Sequence, residues 1–126
     1  MSKLIDERSR DIIRMLNEIS HQEDLVDDIK MESVSDGVVC RFRGNDNKTI
    51  LFKLLSRGNE IEAETIYSMF PKILDTNSHK GVILCRSLVD ESIANLAELY
   101  DMKIIHLGTR TEIEGSLRTT MFQVFG

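Results

Sequence analysis

The fold is decided by residues 80–107, KGVILCRSLVDESIANLAELYDMKIIHL. Gly81–Cys85 is a short apolar run rich in β-branched residues and reads as a buried strand. Asp90 can cap a helix whose apolar stripe is Ile93, Leu96, Ala97 and Tyr100, and Lys103–Leu107 returns as a second strand. Strand, helix and strand in this span predict a βαβ unit with parallel strands and a right-handed crossover.

Upstream, Ile66, Met69, Phe70, Ile73 and Leu74 keep helical spacing around Pro71, the single proline of the chain. Proline lacks an amide donor and clashes with the previous turn, so a kink or a break into two short helices is expected there. Before this helix, Val34–Phe42 and Thr49–Leu55 flank Gly44-Asn45-Asp46-Asn47, residues that tolerate positive φ, and predict a β-hairpin. On its second arm Ile50, Phe52 and Leu54 point one way and Leu51, Lys53 and Leu55 the other, which suits a sheet covered on both sides. Lys3–Ile19, with Leu4, Ile5, Ile12, Leu16 and Ile19 near helical spacing, predicts an amphipathic first helix. The acidic stretch Gln22–Lys30 fits either a second short helix or a loop. The tail Thr109–Gly126 ends in β-prone Met121, Phe122, Val124 and Phe125, and fits an added strand or a cover for a partner subunit. The expected class is α/β, a mixed sheet of antiparallel hairpin plus βαβ unit flanked by helices, in a single domain 1–126 whose residues 109–126 form a C-terminal extension suited to contacts.

Composition narrows the function. With 126 residues, 41% of them hydrophobic and 29% charged, one compact core is expected rather than separate cofactor and substrate lobes. No apolar run approaches the ~20 residues that cross a bilayer, and the cytoplasm is the expected compartment. The formal charge is −5, yet residues 41–57 carry Arg41, Arg43, Lys48, Lys53 and Arg57 against Asp46, a local net of +4. Arg41, Arg43, Lys48 and Arg57 are therefore the candidate nucleic-acid contacts, with the solvated face of a hairpin as the plainer reading. Cys40 and Cys85 stand 45 positions apart in apolar settings, and His21, His79 and His106 are scattered, so spacing offers no zinc site. P-loop, GxGxxG and GxSxG patterns are lacking.

In its order of elements the chain resembles the restriction-endonuclease-like superfamily, the PD-(D/E)xK nucleases, and particularly small Mrr-like and archaeal members. Ser35-Asp36-Gly37-Val38-Val39 resembles the family's first acidic element, and Ile50-Leu51-Phe52-Lys53 its second. Lys80–Ser87, the following helix and Lys103-Ile104-Ile105 are similar to the end of the family core. The resemblance covers about residues 1–107. It implies Asp36 as a metal ligand and Lys53 as the lysine that orients or activates a water, with two carboxylates holding Mg²⁺ or Mn²⁺. Acid and lysine two residues apart share one strand face. Here Leu51 occupies the acid's position, and leucine has no lone pair for a hard cation.

The resemblance then implies a catalytically degenerate nuclease-fold protein, more an assembly or nucleic-acid-associated module than an enzyme, needing no cofactor. The alternative is an active Mg²⁺-dependent DNA endonuclease whose missing carboxylate comes from the following helix. Glu60, Glu62 and Glu64 are then the donors, with Asp36, Glu60 and Glu64 as the metal set and Asp36, Lys53 and Glu64 as the catalytic set. Glu60 and Glu64 share a face if that helix starts near Glu60; as plain helix N-terminal acids they would only complement the macrodipole. A third reading is a structural homodimer or complex subunit, joined through Met121–Phe125 or the Leu4/Ile12/Leu16 stripe.

Overall fold

The computed structural model describes residues 7–44, 47–56, 60–86 and 89–125. Its elements run α1 (Glu7–Glu23), β1 (Val26–Val34), β2 (Gly37–Gly44), β3 (Thr49–Leu55), α2 (Ala63–Asp75), β4 (Lys80–Cys85), α3 (Glu91–Leu99), β5 (Met102–His106) and α4 (Arg110–Phe125). The five strands form a single mixed sheet in sequential order. β1, β2 and β3 are an antiparallel meander, and β3, β4 and β5 are parallel. The predicted α/β class and the parallel βαβ unit are both present. Among the described residues no helix is long and apolar enough to cross a membrane.

Period-two alternation sends β3 into two cores. Ile50, Phe52 and Leu54 join Ile12, Leu16 and Ile19 of α1 and Ile113, Leu117 and Met121 of α4. Leu51 and Leu55 join Ile66, Met69 and Ile73 of α2 and Ala97 of α3. The sheet is thus a layer between two helical layers, as apolar residues on both faces of a strand require. Two glycines are fixed by close approach. A Cβ on Gly37 would run into the Leu54 carbonyl, and one on Gly44 would meet the Phe125 ring at 2.6 Å.

Four expectations change. Gln22–Lys30 is neither helix nor loop from Val26 onward but the start of β1; Asp24, at φ 50°, turns the chain out of α1. The hairpin is therefore the second half of a three-stranded meander. Pro71 does not divide α2, which runs unbroken over Ala63–Asp75. Its ring lies on the exposed side, where water can serve the carbonyl it leaves without a donor. The tail is a helix rather than a strand: Ile113, Leu117, Thr120 and Met121 recur at helical spacing and are buried, so sheet burial overrides the β propensity of its last residues. Finally, α2 starts at Ala63, not near Glu60. Leu4, Ile5, Asn45, Asp46, Gly58 and Asn59 lie outside the described residues.

Candidate functional site

Asp36 and Lys53 meet. Asp36 sits in the two-residue turn that joins β1 to β2, where its carbonyl accepts the Ser56 N–H at 2.9 Å and ties the turn to the end of β3. Lys53 lies in the middle of β3, between Val39 of β2 and Ile83 of β4 in the ladder. Its Nζ is 3.0 Å from Asp36 Oδ1, with the lysine side chain 6% and the aspartate 33% exposed. A cation among Val39, Leu51, Leu55 and Ile83 is stable only with such an anion in contact.

Leu51 is two residues before Lys53 on the same face and 2% exposed. It pairs with Arg41 across the β2–β3 ladder. With Val39 it floors a groove of about 390 Å³ that opens where α2 stops short of β1 and β2. Lys30, Arg41 and Lys72 stand on the rim, beside Glu32 and Asp75.

The acids after the lysine strand do not converge as the spacing suggested. Glu62 is the N-cap of α2, its N–H donating to Thr65 Oγ1 at 3.1 Å while the Thr65 N–H donates to the Glu62 carbonyl at 3.0 Å. Glu60 precedes the helix, so it has no i,i+4 relation to Glu64 in the first turn. All three are exposed. Among the described residues no group of three His, Cys, Asp or Glu side chains could hold a metal ion.

The candidate nucleic-acid contacts divide. Arg41 and Arg43 share the groove face of β2, and each guanidinium lies 3.9 Å from Asp28 Oδ2. Lys48 stands half-buried just before β3. Arg57 lies outside the described residues. The local +4 of residues 41–57 leaves out β1, the strand that brings Asp28 and Glu32 against the hairpin. The signal was there: in Asp28-Ile29-Lys30-Met31-Glu32 charged and apolar residues alternate with the period of a strand. Lys72 was missed because its place on the groove rim comes from α2 docking.

The remaining reactive groups are structural. Cys40 and Cys85 are buried free thiols; burial pushes Cys40 up from 9.0 to about 12 and raises Cys85 as well. His79 Nδ1 accepts the Thr49 N–H at 3.4 Å, and His106 Nε2 sits 2.8 Å from the Arg86 carbonyl. Glu112 is held below the usual carboxylate range by hydrogen bonds from the Thr109 hydroxyl and N–H, with His106 adding a smaller attraction.

No protein-family model matches the chain, and no curated protein matches it. Among solved structures, EndoMS in its apo form superimposes with a TM-score of 0.51 at 13% sequence identity, covering 86% of this chain. The match spans 48% of the EndoMS chain, about half its length. At that identity the likeness speaks for the fold alone, the α/β sheet flanked by helices described above.

Proposed function

We propose that the chain is a catalytically degenerate nuclease-fold protein that binds rather than cleaves, a nucleic-acid-associated or protein-assembly module. The carrying observation is the Asp36–Lys53 pair with Leu51 beside it. A divalent ion of the kind the nuclease resemblance implies needs several hard oxygen donors around one point. At this point Asp36 is already engaged by the lysine, Leu51 offers no donor, and Glu60 and Glu64 are not grouped with Asp36. The described residues do not fit the ion. What supports binding is the groove on this face, an apolar floor with Lys30, Arg41 and Lys72 on its rim beside Glu32 and Asp75.

Incubating the protein with DNA and Mg²⁺ or Mn²⁺ tests the first half. No metal-dependent cleavage is expected; cleavage that disappears in Lys53→Ala and Asp36→Ala would establish the active endonuclease instead, with a carboxylate supplied from Glu60, Glu62 or Glu64. The nucleic-acid half is tested by mobility shift across salt. Because Asp28 offsets Arg41 and Arg43, binding should be weak and confined to low ionic strength. A complete lack of binding at low salt would leave the assembly role.

A further inference from the structure

We propose that β1 is a dimerisation edge, on which a second copy of this chain pairs antiparallel about a two-fold axis at Met31. β1 ends the sheet, and among the described residues it pairs with β2 alone. Every second backbone N–H and C=O along residues 29–34 therefore faces outward and can accept another strand. β1 is nine residues long, whereas β5 at the opposite edge has five.

The side chains select the partner. Met31 is a large apolar residue left 52% exposed on the α1/α4 side of the sheet. On the other side Lys30 lies opposite Arg41 in the β1–β2 ladder, cation beside cation, with Asp28 the anion that reaches Arg41 at 3.9 Å. Glu32, its neighbour on that face, reaches Lys72 at 3.8 Å and remains 70% exposed. A two-fold axis normal to the sheet at Met31 sets Met31 against its own copy. It also sets Lys30 against Glu32 of the second copy, and the reverse, so each copy gives and receives one ion pair. Moving the axis to Lys30 or Glu32 opposes like charges. Moving it to Ile29 pairs Lys30 with Asp28, but Asp28 is already shared between Arg41 and Arg43 and lies at the β-bulge between Val26 and Asp28. The sequence of this edge is therefore self-complementary in one register on its regular part. An isologous contact of this kind closes as a dimer.

Of the surfaces first expected to join copies, Ile12, Leu16 and Met121 are in the core, whereas Phe122 is 44% exposed. The β1 contact would also bring two grooves side by side, since Lys30 and Glu32 line each of them.

Sedimentation or light scattering over a dilution series up to about millimolar protein reads the result. The intact chain should dimerise. Lys30→Glu and Glu32→Lys should each raise the dimer dissociation constant by about tenfold or more, since each turns two attractive pairs into repulsive ones. The double variant Lys30→Glu/Glu32→Lys should recover dimerisation, because position 30 again meets its opposite at position 32 of the second copy. Met31→Lys, at an exposed site, should also favour the monomer, with circular dichroism confirming that each variant is folded. A monomer throughout the series, a dimer indifferent to the single charge reversals, or a double variant no better than the singles would each overturn the proposal.

Discussion

On the α1/α4 face of the sheet, β3 presents Ile50, Phe52 and Leu54 to a core that α1 and α4 close completely, and Phe52 meets Phe42 edge-on at 5.3 Å. On the α2/α3 face the same strand presents Leu51, Lys53 and Leu55, and a groove remains between α2 and the β1–β2 end of the sheet. The first face is packed for stability. The second includes a charge that must be neutralised and a groove that is left open. An open groove is thus left on one face, while the opposite layer supplies the burial that keeps the sheet intact.

The largest effect should fall on the closed face. Phe52→Ala removes a fully buried ring and should cost about 3–5 kcal/mol in denaturant unfolding. Asp36→Ala on the open face should cost about 2–3 kcal/mol, below the full cost for a buried pair because Asp36 is one-third exposed. Lys53→Met should change stability by less than about 1 kcal/mol, since an apolar chain of similar length suits Val39, Leu51 and Ile83. Were Lys53→Met as damaging as Phe52→Ala, the contrast between the faces would collapse.

Smaller changes sharpen the comparison. Thr109 Oγ1 accepts the Glu112 N–H at 3.2 Å at the start of α4, so Thr109→Ala should cost about 1 kcal/mol in thermal unfolding. Glu112 has its folded pKa lowered, so its contribution is present above the unfolded value and is lost as pH falls through the folded one. Melting curves of Glu112→Gln and the parent should converge in acid. The thiols should have no effect at neutral pH. Because burial raises both, folding loses stability as pH climbs above 9.0, the unshifted thiol value, towards the folded value of about 12 for Cys40. Thiol labelling in mild alkali should modify Cys85, on the open face, before Cys40.

Most of the parallel half was legible because Gly81–Cys85 and Lys103–Leu107 are runs of strand length separated by a helix, with Asp90 at its N-cap position but making no side-chain capping hydrogen bond. β1 and α4 were not. β1 is an edge strand whose apolar residues alternate with charges, so its acidity masked its period. The end of α4 is β-prone in isolation and becomes helical because Leu117 and Met121 are drawn against the sheet. At the site, the same-face relation of Leu51 and Lys53 followed from strand period, and Asp36 came to Lys53 through hairpin register. The offset of Arg41 and Arg43 by Asp28 was hidden, since it depends on a strand pairing that no local pattern states. The grouping of Glu60 with Glu64 failed on a helix boundary, which local pattern specifies least well.

β3 is hydrogen-bonded antiparallel to β2 and parallel to β4, which makes it the seam between two kinds of connection. The meander closes through short turns, whereas the crossovers through α2 and α3 must close longer loops before their strands reward them. Folding should therefore proceed outward from β1–β3, with β4 and β5 adding to a template already in place. Its central strand, held from both sides, will exchange its amide protons with solvent more slowly than either edge.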